Sequence, residues 1–344
     1  MTRRSSSVTI HDVARQAGVS VATVSRFINQ NSPVSDDVAE RIRRVMADLG
    51  YSPHATARQL ATRKTRSIGL LLTSMHNDFF APLLSGIENV VSQKGYNVLV
   101  ATYSRELRQE YLPPIGPHNT DGILVFADSL EEEQIRKFQQ RKFPQVLIHR
   151  SSPVGLNIPS VTVENKAATR KMIDHLIEVH HKKQILFMRG PIRQEDSYWR
   201  EMGYKASLET HGIAYDEALI LNGGFEREIA QDAILSYVSN GSKPFDAVFA
   251  GDDDAAIGVL TALKEIGKVV PADVAVAGFD DLRLTPYLDP PLTTVRAPTE
   301  DVGIMAAHQL FNLIEECPVD AVTLLPTEII LRRSCGCPNG THHS

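Results

Sequence analysis

The chain has 344 residues, of which 42% are hydrophobic and 22% charged, and its formal net charge at pH 7 is −5. This length exceeds what one small core needs, so we expect two to three domains. No apolar run approaches the roughly 18 residues of a membrane-spanning helix, and the basic start "MTRRSSS" lacks the apolar stretch of a secretory signal. The composition argues against a membrane or exported protein and favours a soluble, cytoplasmic one.

The charges are unevenly distributed along the chain. Residues 1–66 hold eleven Lys/Arg and five Asp/Glu, whereas the remaining residues hold 25 basic and 36 acidic side chains. A basic head on an acidic body suggests that the head binds a polyanion.

Three short helices are predicted in the head. Thr9 can cap the first helix, which Gly18 ends, and Ser20 can cap the second. The third begins after Ser35 and ends at Gly50. Apolar side chains at helical spacing on all three helices are expected to share one small core.

The second helix leaves small and polar side chains on its outward face. They are Val21, Ala22, Thr23, Ser25, Arg26 and Asn29. Small residues at a helix N-terminus can approach base edges in a major groove, and Arg26 can contact guanine or phosphate. The alternative is a solvated face on a generic three-helix domain. The positive charge of the head and the tight turn at Gly18 favour DNA.

The segment "TIHDVARQAGVSVATVSRFIN" resembles the helix-turn-helix of the LacI/GalR family of bacterial transcription regulators. The resemblance implies that Val21 and Ala22 set the preference for the operator sequence and that Arg26 contacts DNA. The other residues of this segment that we expect at the DNA are Thr9, Ser20, Thr23, Ser25 and Asn29.

Residues 54–66 resemble the hinge helix of the same family, which orders on the operator and pairs with its twin in a dimer. Leu60 stands where the family inserts a leucine into the minor groove, a contact that kinks the duplex. We expect His54 and Ala57 to contact DNA beside it. By themselves these residues would favour an ordinary basic linker.

From residue 66 onward, short apolar runs alternate with helical patterns. The runs include "SIGLLLTS", "YNVLVAT", "DGILVFA" and "QVLIHR", followed by "QILFMRG", "DAVFAGD" and "VAVAGFDD". All seven are predicted as buried strands of parallel sheets, grouped into two doubly wound lobes. Ligands of such folds bind beyond the carboxyl ends of the strands. That rule selects residues 73–80, 191–200, 252–254 and 280–281 as the walls of one cleft, with Trp199 among its aromatic side chains.

The resemblance to the family extends over residues 8–337 and implies a body like a periplasmic sugar-binding protein. It implies a headpiece at 1–53, a hinge at 54–66, a first lobe of 67–163 with 297–323, a second lobe of 164–296 with 324–336, and a disordered tail at 337–344. It assigns effector binding to Arg200, Asp252 and Asp280. The other residues expected in the effector site are Phe79, Phe80, Asp196 and Phe225.

Structural roles remain open for several of these residues. Asp253 or Asp254 can cap the following helix, Asp281 can bind buried backbone N–H groups, and Arg200 can form an internal ion pair. The acidic loops alone lack the defined ligand set of a metal site.

Cys317, Cys335 and Cys337 are the only cysteines, and their spacing fits no zinc framework. We expect reduced thiols, with a redox or a metal role as the alternatives. No metal and no cofactor is predicted.

One segment departs from the family pattern. Residues 105–119, "RELRQEYLPPIGPHN", are shorter than the usual connection and contain Pro-Pro and Gly-Pro pairs. The second helix of the first lobe is therefore expected to be truncated, in a region that forms part of the dimer interface in the family.

These features predict a homodimeric regulator that binds a pseudo-palindromic operator and responds to a small molecule in the cleft. A repressor is preferred, with an activator as the alternative, and the small molecule can be an inducer or a corepressor. Carboxylates favour a sugar, and a purine or another metabolite is the alternative. The distant alternative is a sugar-modifying enzyme with a DNA-binding head, but GxxxxGK(S/T), GxGxxG, GxSxG and HExxH are all absent. We therefore predict no catalytic residue. A transport protein is disfavoured by the basic head and the lack of a secretory signal.

Overall fold

The computed structural model describes residues 8–29, 33–51, 64–75, 78–102 and 114–338. The chain divides into two compact units, Met1–Thr65 and Arg66–Ser344. None of the helices in the described ranges is both long and apolar enough to cross a bilayer.

The first unit contains the three predicted helices, α1 (Ile10–Ala17), α2 (Val21–Asn29) and α3 (Asp36–Leu49). Their shared core is built on the buried side chains of Val13, Val24 and Ile42. The prediction of a three-helix headpiece is confirmed.

Two of the three predicted N-cap residues form hydrogen bonds at the start of their helices. The backbone N–H of Thr9 donates to Asp12 Oδ2 at 3.0 Å, and Ser20 Oγ accepts from the N–H of Thr23 at 3.1 Å. Gly18 adopts the left-handed φ of +65° that ends α1. Ser35 occupies the predicted N-cap of α3, but among the described residues its side chain accepts no capping hydrogen bond.

The second unit contains two six-stranded sheets. The first sheet has β1 (Ser67–Leu72), β2 (Asn97–Thr102), β3 (Gly122–Phe126), β4 (Gln145–Ile148), β5 (Ser160–Val163) and β11 (Val322–Leu325). Its strand order is β11-β5-β4-β3-β1-β2, and every neighbouring pair is parallel.

The second sheet repeats this topology. It has β6 (Ile185–Arg189), β7 (Ile220–Asn222), β8 (Ala247–Ala250), β9 (Ala275–Asp280), β10 (Thr293–Arg296) and β12 (Glu328–Ile330). The order is β12-β10-β9-β8-β6-β7, parallel except for β12 beside β10. Two doubly wound lobes were predicted, and the fold class is confirmed.

Helices cover both sheets. The first lobe carries α4 (Phe80–Gln93), α5 (Glu132–Gln140) and α10 (Thr299–Ile314). The second lobe carries α6 (Asn165–Glu178), α7 (Glu195–Thr210), α8 (Arg227–Ser239) and α9 (Asp253–Glu265). Helices α4 and α10 approach so closely at Gly86 that an added Cβ would lie 2.1 Å from Glu300 O, so only glycine fits there.

The chain crosses between the lobes three times, after β5, after β10 and after β11. The last crossing between the lobes lies slightly later in the sequence than predicted. Leu324 and Leu325 were assigned to the second lobe, but they pair with Thr162 and Val163 of β5 in the first sheet.

Strand β2 was predicted to be buried and is not. It forms the free edge of the first sheet, and Leu99 and Val100 are each 37% exposed. The following connection was predicted to lack a full helix. Residues 114–121 form turns, but 103–113 lie outside the described residues, so that prediction stands as it was made.

Candidate functional site

A cavity of about 650 Å³ opens between the two lobes, beyond the carboxyl ends of β1, β6, β8 and β9. All seven residues that the sequence assigned to an effector site line it. They are Phe79, Phe80, Asp196, Arg200, Phe225, Asp252 and Asp280. The fold therefore brings together, at the carboxyl ends of the strands, side chains that lie up to about 200 residues apart in the sequence.

Arg200 is the centre of this site and is only 3% exposed. Its Nε donates to Asn165 Oδ1 at 2.8 Å, and one terminal nitrogen donates to the carbonyl oxygen of Gly251. The guanidinium stacks on the ring of Phe279, with Cζ 3.7 Å from the ring centroid. These contacts fix the plane of the guanidinium, so its remaining N–H groups point in defined directions.

Asp280 lies beside Arg200 at the end of β9. Its Oδ1 is 3.6 Å from the second terminal nitrogen of Arg200 and makes no hydrogen bond with any described residue. Burial raises the pKa of Asp280 well above its ordinary value, against the attraction of Arg200. The backbone is strained as well, because Asp280 has a φ of +111°. A buried acceptor held in a costly conformation is typical of a ligand site.

Asp252 has a structural role and also lines the cavity. Its Oδ1 accepts from the N–H of Ala255 at 2.9 Å and so caps α9, a role that the sequence analysis gave to Asp253 or Asp254. Burial raises the pKa of Asp252 to about 7, although that hydrogen bond and Arg200 favour the charged form.

The sequence missed two partners of Asp196. His149, at the end of β4 in the first lobe, places Nδ1 2.8 Å from Asp196 Oδ2, and Asn165 donates to Asp196 Oδ1 at 2.7 Å. Burial alone would raise the pKa of Asp196, but His149, Arg200 and Asn165 together hold it below its ordinary value. Applying the strand-end rule to "QVLIHR" as well would have selected His149.

Two further contacts join the same faces of the lobes. Ser151 donates from its N–H and its Oγ to the carboxylate of Glu195, at 3.0 and 2.6 Å. Gln194 Nε2 donates to Asp128 Oδ1 at 3.1 Å. The lobes are therefore held together by side chains at one end of α7.

The aromatic side chains divide between the two walls of the cavity. Phe79, Phe80 and Phe126 pack edge to face on the first lobe, with centroids 5.1 to 5.8 Å apart. Phe225 lies on the second lobe, and its ring centroid is 5.4 Å from the Cζ of Arg200. Its ring packs against Gly190, where an added Cβ would lie 2.2 Å from two ring carbons of Phe225.

Three residues expected in the cleft have other surroundings, and a fourth lines the cavity but is held in an ion pair. Trp199 does not line this cavity, because it projects from a different side of α7 from Arg200, packs on Tyr198 and is 42% exposed. Asp281 binds Arg332 and Arg296 at 2.7 and 2.8 Å instead of buried N–H groups.

The other two, Asp253 and Asp254, both lie in the first turn of α9. Asp253 is fully buried and accepts from Thr294 Oγ1 and from the N–H of Leu282, at 2.6 and 2.9 Å. Asp254 lines the cavity but forms an ion pair with Arg227 at 2.8 Å.

The headpiece presents a second candidate surface. Ala22 and Arg26 are exposed and lie one turn apart on α2, whereas Val24 is buried. Val21 was predicted to face outward, but it is half-buried against the headpiece core. Thr9 and Ser20 are exposed at helix starts, and Thr23 and Ser25 are half-buried. The side chain of Asn29 and the residues His54, Ala57 and Leu60 lie outside the described part of the chain.

Both units match known families. Residues 9–54 match the model described as bacterial regulatory proteins, lacI family, and residues 173–335 match the periplasmic binding protein-like domain. Catabolite control protein A of Priestia megaterium is 31% identical over 331 residues, 95% of this chain and 99% of that protein. The ribose operon repressor of Halalkalibacterium halodurans is 32% identical, over 95% of this chain and 96% of its own length.

Solved structures show the same similarity. The lac repressor dimer bound to operator and an anti-inducer has a TM-score of 0.81 and 25% identity, covering 96% of this chain and 99% of that one. The transcriptional regulator CelR in complex with cellobiose has a TM-score of 0.70 and 29% identity, covering 95% and 99%.

Proposed function

Because the chain belongs to the lacI family of bacterial regulatory proteins, we propose that it is a transcriptional repressor whose affinity for operator DNA is controlled by a sugar bound between its lobes. The relatives are named as regulators and repressors, and we assign no catalytic residue. A chromosomal operator implies a cytoplasmic, nucleoid-associated location. A homodimer on a pseudo-palindromic operator is supported by the lac repressor dimer.

The observation that carries the effector proposal is the buried pair of Arg200 and Asp280. Arg200 offers donors from a fixed plane, and Asp280 offers an acceptor without a hydrogen-bond partner among the described residues. A sugar hydroxyl both donates and accepts, so neighbouring hydroxyls can bind both side chains at once.

The remaining walls favour a sugar over a purine. Asp196 and Asp252 add carboxylates on the second lobe, and Gln194 adds an amide. The phenylalanines of the first lobe provide an apolar surface for one face of a sugar ring. The CelR–cellobiose complex is consistent with this ligand class.

Regulation requires two arrangements of the lobes with different ligand affinity. The contacts from His149, Ser151 and Asp128 to α7 cross the mouth of the cleft, so they stabilise one of the two arrangements. A ligand that binds Arg200 and Asp196 acts on the same helix, and the change in lobe orientation would alter the hinge segments that follow the headpieces.

The test combines operator selection with a ligand panel. The full chain is first used to select duplexes from a random library, and a pseudo-palindrome is the expected product. Mono- and disaccharides, nucleobases and nucleosides are then screened for a shift in melting temperature and in affinity for that duplex. We expect a sugar to change both.

Two variants distinguish an effector site from a structural cluster. Arg200→Ala and Asp280→Asn should abolish the ligand response and leave affinity for the duplex intact. Asp280→Asn keeps the size of the side chain and replaces one acceptor oxygen by an NH2 donor, so it remains informative if Arg200→Ala unfolds the body. The effector proposal is wrong if no compound in the panel changes operator affinity, and the sugar assignment is wrong if only nucleobases do.

A further inference from the structure

Two histidines and two cysteines from distant parts of the chain meet in the second lobe. His175 lies in the last turn of α6 and His180 follows that helix, while Cys335 and Cys337 belong to the "CGC" near the C-terminus. One ligand atom from each residue lies within 4.8 Å of the other three. This His–Cys cluster is separate from the cleft cavity and plays no part in the function proposed above.

The distances within the cluster resemble the edges of a metal tetrahedron. His175 Nε2 lies 3.2 Å from His180 Nε2 and 3.4 Å from Cys337 Sγ, and His180 Nε2 lies 3.3 Å from Cys337 Sγ. Cys335 Sγ lies 3.9 Å from His175 Nε2. Zinc–sulfur bonds of about 2.3 Å and zinc–nitrogen bonds of about 2.0 Å in a tetrahedron give ligand–ligand distances of roughly 3.3 to 3.8 Å.

Hydrogen bonding alone does not account for this arrangement. The Nε2 of His175 faces His180 Nε2 and both sulfurs, yet one imidazole nitrogen carries either one proton or one lone pair. It can therefore make one good hydrogen bond and not three. A cation at the centre would contact all four ligand atoms along their lone pairs.

The surroundings fix the ligands in place. Cys335 and Cys337 are 1% and 9% exposed, and Cys335 Sγ accepts from Thr293 Oγ1 at 3.0 Å. Between them Gly336 has a φ of +108°, and an added Cβ would lie 3.2 Å from the ring of His180. Glycine is therefore required both by the backbone and by the histidine that approaches it.

We propose that His175, His180, Cys335 and Cys337 bind one zinc ion in a closed tetrahedral site with a structural role. Two thiolates and two imidazoles match the donor set that zinc prefers, and four protein ligands leave no open position for catalysis. The ion would fasten the C-terminal segment to α6, at the opposite end of this helix from Asn165 in the cleft.

This proposal replaces the prediction of reduced thiols without a metal. His180, which follows α6, is half-buried at this cluster. The spacing of the cysteines alone does not reveal this cluster, because about 160 residues separate the histidines from the cysteines. The predicted disordered tail also begins too early, because Cys337 is buried.

The first experiment measures zinc in the full-length protein purified without chelators and with its affinity tag removed. We expect one zinc per chain. The metal-free, reduced protein titrated with Co²⁺ should develop the visible absorption of tetrahedral cobalt and a thiolate-to-cobalt charge-transfer band, both saturating at one equivalent.

Matched variants assign the ligands. Cys337→Ser and His180→Asn should each lose the zinc and the tetrahedral cobalt spectrum. Cys317→Ser removes an exposed cysteine outside the cluster, and the double variant His342→Ala/His343→Ala removes the two histidines of the tail. Both controls should keep one zinc per chain and the wild-type spectrum.

Two results would overturn the proposal. One is a wild-type protein that contains no stoichiometric zinc and gives only the weak spectrum of octahedral cobalt. The other is a Cys335–Cys337 disulfide in freshly purified protein, detected as one free thiol instead of three under denaturing conditions. The wild-type measurements decide the matter even if Cys337→Ser does not fold.

Discussion

His149 and Asp196 face each other across the cleft, with Nδ1 of the histidine 2.8 Å from Oδ2 of the aspartate. The histidine comes from the end of β4 in the first lobe and the aspartate from the first turn of α7 in the second. Both side chains are buried, at 2% and 12% exposure. This polar contact therefore links the two lobes at the ligand cavity.

We expect His149→Gln to lower the free energy of unfolding by about 1–3 kcal/mol, because Asp196 Oδ2 loses a buried polar partner 2.8 Å away. Urea unfolding of the full chain at neutral pH measures the change. His308→Gln is the control, since His308 is exposed on α10. Equal stability losses in the two variants would show that the pair contributes nothing.

Asp280→Gly should stabilise the protein while abolishing its ligand response. Glycine adopts a φ of +111° without strain, and the substitution removes a buried carboxylate without a hydrogen-bond partner among the described residues at Oδ1. The expected gain is about 1–3 kcal/mol.

The neighbouring Asp281 provides the matched control. It also has a positive φ, of +57°, but its carboxylate holds Arg332 and Arg296. Asp281→Gly should therefore destabilise the protein. Thermal unfolding compares the two variants, and a shift of the same sign in both would contradict this account of strain.

Asp252 should make stability depend on pH. Its pKa is about 7 in the folded protein because of burial, against an ordinary value of 3.8. Between these values the folded chain keeps a proton that the unfolded chain has lost. The free energy of unfolding should therefore fall as pH rises towards 7, by up to about 1.4 kcal/mol per pH unit from this group, and level off above it.

Asp252→Asn isolates this contribution, because asparagine keeps an oxygen for the cap of α9 but does not titrate. The difference in unfolding free energy between wild type and variant should change from pH 5 to pH 7 and stay constant above. Urea unfolding at pH 5, 6, 7 and 8 measures it. Parallel profiles would show that Asp252 is already ionised at pH 5.

Arg26→Ala should weaken operator binding by about 1–3 kcal/mol without altering the ligand-induced change in melting temperature. Arg26 is exposed on α2, one turn from Ala22. Arg44→Ala, which removes the same charge from an exposed position of α3, is the control. Titration of the selected duplex by fluorescence anisotropy compares the two variants. Equal losses of affinity would show that Arg26 contributes only through its positive charge.

Local sequence signals predicted most of the fold. Apolar runs that are buried on both faces, such as β1, β3 and β8, are recognisable because parallel strands are covered by helices on both sides. Strand β2 has the same apolar character but is an edge strand. Composition alone does not show where a strand lies in its sheet.

The rule that ligands bind beyond the carboxyl ends of parallel strands predicted much of the candidate site. Arg200, Asp252 and Asp280 follow predicted strands, so the strand-end rule selects them. Asn165 follows β5, a strand that was not among the predicted runs. Trp199 was misplaced because adjacent residues on a helix differ by about 100° in direction. The His–Cys cluster depends on a contact across 160 residues, which no local spacing records.

The three crossings also constrain how the body is made. Strand β11 at the edge of the first sheet and α10 against α4 come from residues beyond 298, although β1 to β5 are complete by residue 163. During synthesis the sheet of the early lobe is completed only after residue 325 has left the ribosome. Neither lobe is one continuous stretch of the chain, so no single cut separates a complete first lobe from a complete second lobe.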